Sequence, residues 1–353
     1  MFSDSASTLT STVPAFAKRG DLVIVDAGVH EPLRTGITLS RANVQEFVHN
    51  DMAHLRALLE GIAADDKKRR RDPTSQRRFI IAEGLYRNWG DVVPLAELVA
   101  LKNEFKFRLI LDESFSFGVL GPTGRGVTEM FEIPISEVPG SARRAKRGPA
   151  HAGRPVTSLS TRQVEILTVS LAHSLASIGG ACVGSTEVVD HQRLSGAGYC
   201  FSASAPPFVS SAAMASLEVL GKEPQAGRLA RLRSNTDRLV SALCKIHGLE
   251  VRSDRRSPIV HVGLAPNPRG ETAYADAEKM LTDLARRCSD AGVCIPTTKY
   301  MPSELEHSPR QARPLRPSLR CTVTAIHTAE QIDAAAKALG DAARAAGLGL
   351  ASA

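Results

Sequence analysis

Aromatic residues are scarce in this sequence: 5% of 353 positions, with a single tryptophan, Trp89. None interleaves with the basic clusters, so the stacking platforms of single-strand nucleic-acid binders are missing. The six cysteines, Cys182, Cys200, Cys244, Cys288, Cys294 and Cys321, form no CxxC and no Cys/His set at zinc spacing. That removes the common structural-metal and dithiol redox motifs, leaving free thiols of a reducing compartment as the expectation. No apolar run is long enough to span a bilayer. The N-terminus, MFSDSASTLTSTVPAFAKRGD, has no continuous apolar core of the kind a secretory signal needs. No internal repeat is present, and no glycine spacing matches a P-loop or a dinucleotide fingerprint.

What is present is a globular balance of 43% hydrophobic and 23% charged residues, enough chain for one large domain or two ordinary ones. The formal charge of +7 is concentrated in two runs. One is Lys67, Lys68, Arg69, Arg70 and Arg71; the other is Arg143, Arg144, Lys146, Arg147 and Arg154. With no accompanying motif, both read as solvated loops, and no nucleic-acid partner is expected.

Short β-branched runs alternate with helical patterns. Leu22–Asp26, Phe79–Glu83, Arg108–Asp112 and Val164–Val169 read as buried parallel strands, with helices over Asp51–Ala63 and Leu95–Phe105. This alternation predicts an open α/β sheet that binds ligands at the carboxyl ends of its strands, where Asp26, Glu83 and Asp112 fall. Helices are expected over 206–220 and 225–246. After His247-Gly248, strands at 249–252, 259–262 and 318–323 and helices at 273–291 and 329–346 predict a smaller α/β domain. Residues 138–158, rich in Pro, Gly and Arg, read as a basic flexible insertion, and residues after Gly347 as a frayed tail.

Residues 108–126, RLILDESFSFGVLGPTGRG, put an acidic pair at a strand end ahead of a Gly-rich turn. Residues 168–184, TVSLAHSLASIGGACVG, run from a second strand into a small-residue turn. Further blocks are AFAKRGDLVIVD, FVHNDMAHLRALL, RRFIIAEGLY, DHQRLSGAGYCFSASAPP and PSLRCTVT. Collinear and spanning nearly the whole chain, they resemble the α-oxoamine synthase family of fold-type I pyridoxal-phosphate enzymes. More closely, they resemble its lysine-less first subunits of eukaryotic serine palmitoyltransferase.

The resemblance implies a large domain over 1–222, with a mostly parallel sheet and an incomplete N-terminus, and a small C-terminal α/β domain over 223–353. In the family a membrane-anchoring segment and a glycine-rich part of the large domain precede AFAKRGD, so a truncated chain is expected. The implied reaction condenses serine with palmitoyl-CoA, with decarboxylation, to 3-ketosphinganine. The implied cofactor is pyridoxal 5'-phosphate, held covalently by a lysine-bearing second subunit. Serine and palmitoyl-CoA would meet at the shared site. Membrane association, at the cytosolic face of the endoplasmic reticulum, would come through the complex.

Residue by residue, Asp112 matches the aspartate that keeps the pyridinium nitrogen protonated, and His30 the histidine that stacks on the ring. The usual lysine-less subunit does not keep that histidine. His173 stands where catalytic members carry the lysine, and an imidazole forms no stable covalent link to the cofactor aldehyde. Phe115 replaces the histidine of a DEAH-like block. Ser202 and Ser204 match a hydroxyl cluster that reaches the cofactor phosphate across a dimer interface, although Ala203 lacks the third hydroxyl. Arg320 matches the arginine that grips the substrate carboxylate. The glycines at 118, 121, 124 and 126 would shape the subunit contact and the site wall.

Each position also has a plainer reading. Asp112 would be satisfied by local amides, His30 would be a rim or core histidine, and His173 would fill packing or an interface. The two serines would cap a helix before Pro206-Pro207, and Arg320 would sit in a structural ion pair. No catalytic residue and no metal site is assigned to the chain. Three functions stay open: a required non-catalytic subunit, an autonomous homodimeric enzyme, and a structural or regulatory fragment.

Overall fold

The structure is a computed structural model that describes residues 1–133, 163–222, 227–266, 272–307 and 314–348. The basic insertion expected at 138–158, and residues 349–353 of the expected tail, lie outside the described residues. The chain divides into two compact units, Met1–Gly84 with Val93–Gly221, and Leu85–Val92 with Lys222–Ala353. The sequence pattern gives no sign that the short stretch 85–92 belongs with the second unit. Its local bonds are non-periodic, with Leu85 bridging Val92 and the Tyr86 N–H donating to the Asp91 carbonyl at 3.0 Å, while Asn88 donates to Glu304 at 2.8 Å and the Asp254 N–H to the Gly90 carbonyl at 3.0 Å.

The first unit is built on a six-stranded sheet. Its strands are β1 (Leu22–Asp26), β2 (Asn43–Phe47), β3 (Arg78–Glu83), β4 (Arg108–Asp112), β5 (Ile166–Ser170) and β6 (Gly180–Gly184), in the order β2-β1-β3-β4-β5-β6. The first five are parallel, and β6 runs antiparallel to β5. Parallel neighbours need crossover connections. Helices α2 (Glu31–Ser40), α3 (Met52–Arg69) and α4 (Leu95–Glu104) supply them, preceded by α1 (Ser5–Phe16). The short α5 (Val127–Met130) follows β4. After β6 come α6 (Thr186–Ser195), α7 (Ala197–Cys200) and α8 (Pro207–Lys222). Strands β1 and β3 are buried at every position, as continuous β-branched runs between two helix layers should be. Asp51 caps α3, its side chain accepting from the His54 N–H at 2.9 Å. Gly36 lets α2 approach α1, because a Cβ there would stand 2.7 Å from the Leu9 carbonyl oxygen.

The second unit has a three-stranded antiparallel sheet, β7 (Leu249–Val251), β8 (Ile259–Leu264) and β9 (Leu319–Thr322), in the order β7-β8-β9. Its helices are α9 (Arg228–Leu243), α10 (Tyr274–Asp290), α11 (Pro302–His307) and α12 (Ala329–Ala345). One sheet face, with Val260, Val262 and Leu319, joins Leu239, Leu281, Leu284 and Leu339 of the helices in an apolar core. Burying each such side chain stabilises the unit by about 1.5–3 kcal/mol. The alternate positions His261, Ser318 and Arg320 lie on the opposite face, as the two-residue period of a strand requires.

Candidate functional site

Strands β1, β3 and β4 end in Asp26, Glu83 and Asp112, all buried. Their partners differ. Asp26 is satisfied locally. Its Oδ1 accepts from the Gly28 N–H at 2.6 Å and lies 2.7 Å from His49 Nδ1, and its Oδ2 accepts from the Asn50 N–H at 2.9 Å. Glu83 holds the start of α2: its Oε1 accepts from the His30 N–H at 2.5 Å and lies 2.8 Å from His30 Nδ1. His30 is thereby fixed at the N-terminal end of the helix, buried at 5% exposure.

Asp112 is held on one side only. Its Oδ1 accepts from the Ser114 hydroxyl at 2.7 Å and, across to β5, from the Thr168 hydroxyl at 2.8 Å. Its Oδ2 is equally buried and has no hydrogen-bond partner. Burial pushes its carboxyl up to about 6, opposed by the nearby His30 and reinforced by Glu83, its register neighbour.

Three rings follow one another beside these carboxylates. His30 meets Phe115 edge-on, with centroids 5.7 Å apart and planes at 79°. Phe115 in turn stacks on His173 at 4.4 Å and 22°. His173 is exposed on the turn after β5. The two turns are tied together: the Ser174 hydroxyl donates to the Phe117 carbonyl at 2.7 Å. Gly118 allows this contact, having φ +78 in the left-handed region and no room for a Cβ beside Ser174. Glu113 secures the Gly-rich loop from beneath, accepting from the Val127 and Thr128 N–H groups at 2.7 and 3.1 Å and from the Ser116 hydroxyl at 2.5 Å. Burial raises its pKa.

The structure thus brings Asp112, His30 and His173 to one rim, joined through Phe115. Ser202 and Ser204 are exposed between α7 and α8, and among the described residues no hydrogen bond joins them to that rim. Arg320 belongs to the second unit, on β9 directly opposite His261. Sequence reasoning placed Glu83 at the rim but missed its grip on His30, a pair 53 residues apart in the chain. The only available signal was that Glu83 closes an apolar strand and His30 follows another by four residues.

The unmatched Asp112 Oδ2 fits a pyridinium N–H. It is a buried acceptor without a hydrogen-bond partner, and a cationic donor would return the carboxyl to its charged form. No amine stands at position 173, so the side chains present would hold such a ring without a covalent bond. Among the described residues no group of three or more His, Cys, Asp or Glu side chains is placed to hold a metal.

Comparison with known proteins gives the same frame. The family described as aminotransferase class I and II matches residues 1–339. The chain belongs to that family. Its fold is that of pyridoxal-phosphate-dependent transferases, so the expected fold class is observed. Among relatives of this aminotransferase-family chain, "Long chain base biosynthesis protein 1c" of Oryza sativa subsp. japonica is 40% identical over 299 residues, covering 85% of this chain and 55% of that protein. "Serine palmitoyltransferase 1" of Dictyostelium discoideum is 36% identical over 336 residues, 94% of this chain and 62% of that protein. The protein of the same name from Saccharomyces cerevisiae is 32% identical over 277 residues, 78% of this chain and 45% of that protein. The chain spans about half the length of the curated relatives it matches. A solved serine palmitoyltransferase from S. paucimobilis shares the fold at TM-score 0.76 and 24% identity, covering 98% of this chain and 72% of that one. 8-Amino-7-oxononanoate synthase from Francisella tularensis does so at TM-score 0.70 and 20% identity, covering 98% and 82%.

Proposed function

We propose that this chain is a non-catalytic subunit of a serine palmitoyltransferase, the enzyme that condenses serine with palmitoyl-CoA to 3-ketosphinganine in sphingolipid synthesis. The observation that carries this reading is position 173, where His173 stacks on Phe115 and offers no amine, while the frame around it stays built. The names of the relatives favour the same enzyme and, within it, the first subunit. Pyridoxal phosphate, held covalently by a lysine of the second subunit, supplies the electron sink for decarboxylation and acyl transfer.

In this chain Asp112 would keep a ring nitrogen protonated, and His30, clamped by Glu83, would orient against a ring. Ser202 and Ser204 would donate to phosphate from their exposed segment, and Arg320 would take the substrate carboxylate. An obligate protein partner is favoured by the apolar side chains left exposed in the first unit: Leu194 (83%), Phe201 (91%), Phe208 (70%) and Met214 (61%). Large apolar side chains exposed to this degree are costly in water and are relieved by a partner surface. Among the described residues no helix is long and apolar enough to cross a membrane. The proposed attachment, to the cytosolic face of the endoplasmic reticulum, is through the complex.

The test is serine-plus-palmitoyl-CoA condensation with the chain expressed alone and with a lysine-bearing homologue. Product in co-expression only is the expected result. Product from the chain alone would make it a catalyst in its own right, and product in neither arm would sink the subunit reading. His173→Lys in the isolated chain should yield no turnover.

A further inference from the structure

Parallel strands begin at a common end, and in the first unit that end is basic. Leu22 of β1 lies in register with Asn43 of β2 and Arg78 of β3, and Phe79 of β3 with Arg108 of β4. The segments that enter these strands are tied to one another. Arg78, at the start of β3, and Arg71, just beyond α3, both bind the Asp66 carboxylate, at 2.6 and 3.2 Å. The Gln76 side chain donates to the Gly20 carbonyl at 2.6 Å, and the Arg77 guanidinium to the Phe16 carbonyl at 3.1 Å. The Arg78 guanidinium also stands over the Phe107 ring, 5.8 Å from its centroid. Three stretches far apart in the chain thus meet: the Lys18-Arg19 turn, the run 67–71 and the segment 106–108.

Their outer cations are not neutralised within the chain. Lys18, Arg19, Lys67, Lys68, Arg70 and Arg77 are exposed, as are Lys106 and Arg108. Among the described residues no carboxylate pairs with any of these side chains. The acids nearby are engaged elsewhere: Asp66 with Arg78 and Arg71, Asp65 with Arg69 at 2.8 Å, Glu165 with Lys102 at 2.6 Å, and Asp21 with the backbone N–H groups of Lys18 and Arg77. The dipole of α3 favours cations in its last turn, which accounts for the run 67–69 but not for the other two stretches. Clustered charges of one sign repel each other and attract a polyanion. Apolar side chains are exposed at the same end: Leu39, in the last turn of α2, at 56%, and Val44, on the edge strand β2, at 41%. A groove of about 500 Å³ between α3 and the starts of β1 and β2 is lined in part by Leu22, Leu58 and Ile62. No ring in the three basic stretches or beside them is exposed, Phe16 and Phe107 being buried, so base stacking has no platform.

We propose that the amino end of the first unit's sheet docks on an anionic lipid bilayer. The cations meet the negative headgroups, and Leu39 and Val44 enter the interface beside them. The run 67–71 taken alone is a solvated face; the fold gives it this role by adding two further basic stretches to it. Asp26, Glu83 and Asp112 close the opposite ends of the same strands, so docking in this way turns the rim away from the bilayer. The contact is additional to any attachment through a partner chain and does not rest on the subunit reading.

The full chain is sedimented with vesicles of phosphatidylcholine alone and of phosphatidylcholine mixed with phosphatidylserine, at low and at high salt. Binding to the mixed vesicles should be about tenfold tighter or more at low salt and should fall towards the neutral level at high salt. Replacing three cations together, Lys67→Gln, Lys68→Gln and Arg70→Gln, should weaken that binding on the order of 100-fold. Lys18→Gln with Arg19→Gln tests the second stretch independently and should weaken it about tenfold or more. Leu39→Ser should weaken it without changing its salt dependence. A control with the same loss of charge on exposed positions of the second unit, Lys245→Gln, Lys279→Gln and Lys337→Gln, should bind like the parent. Circular dichroism on each variant checks folding. An equal loss in the two triple variants would reduce the effect to net charge and overturn the proposal, as would equal binding to both kinds of vesicle or binding to neither. Tighter binding to duplex RNA or to poly-glutamate than to the mixed vesicles would assign the surface to a nucleic acid or to an acidic protein, and would overturn it equally.

Discussion

The two units bury their ionisable groups by opposite means. In the first, carboxylates sit at the ends of parallel strands whose faces are both covered, so Glu83 and Asp112 are neighbours in register with water excluded. In the second, cations and an imidazole line one face of an antiparallel sheet whose other face is the core. Desolvation penalises the charged form in both, but the groups differ in sign. Asp112 is pushed up from 3.8 to about 6, whereas His261 is pushed down from 6.5 to about 4. The same physical cause therefore gives the units opposite dependence on pH. Through Asp112 the first loses stability as pH rises from about 4 to 6; through His261 the second loses it as pH falls over nearly the same range.

The strongest way to break this contrast is to remove the acceptor that organises the first unit's rim. Glu83→Leu leaves the His30 backbone N–H and ring Nδ1 facing a buried apolar side chain, and should cost about 3–5 kcal/mol in chemical denaturation. Glu83→Gln keeps an oxygen in place and should cost about 1 kcal/mol. A cost for Glu83→Leu no greater than that of the amide would show that the His30 bonds contribute nothing.

The opposite pH dependences are separated by two variants. Above pH 6 the charged Asp112 destabilises the fold by about 3 kcal/mol, so Asp112→Asn should be more stable than the parent there, with the gain vanishing below pH 4. His261→Gln should remove a stability term of about 3 kcal/mol that is present above pH 6.5 and lost as pH falls through about 4. Urea denaturation at pH 4, 5, 6 and 7 reads both. Parallel curves for parent and variants would contradict the burial argument.

The smallest effect sharpens the contrast at the helix ends. α12 begins with a capping box, the Thr328 hydroxyl accepting from Gln331 N–H and the Gln331 side chain accepting from Thr328 N–H. Thr328→Ala should cost about 1 kcal/mol in thermal or urea unfolding. At α2 the N-terminal His30 contributes no side-chain cap bond, and the Glu83 carboxylate from another strand takes that part.

The strands most legible in the sequence were those buried on both faces. LVIVD and RLILD are continuous apolar runs ending in an acid, and they form β1 and β4 over the expected residues. β5 lies over Ile166–Ser170, shifted from the expected 164–169. β2, NVQEF, escaped because an edge strand needs no apolar run, and its first three positions are exposed. β6, GACVG, offers almost nothing to pattern reading, and its antiparallel pairing is decided by β5. α1 is rich in Ser and Thr, three of which, Thr8, Ser11 and Thr12, are buried, and the apolar pattern marks no helix there. At the rim, the place of Asp112 was readable because a strand end is a local feature, whereas His30 was singled out only by the family resemblance. The pairing of Glu83 with His30 depends on residues 53 positions apart, a relation that only the folded chain creates.

The exposure of His173 separates what the chain needs in order to fold from what its site needs in order to react. Asp112 is bonded to β5 through the Thr168 hydroxyl and to its own turn through the Ser114 hydroxyl, so its side chain is part of the sheet's buried end. The side chain at 173 stands on an exposed turn held by its neighbours, Ser174 above all. A substitution there removes the stack on Phe115 and leaves the bonds of Asp112 and Glu83 in place. A scaffold arranged in this way can lose or gain a reactive group in a single substitution while its carboxylate frame stands.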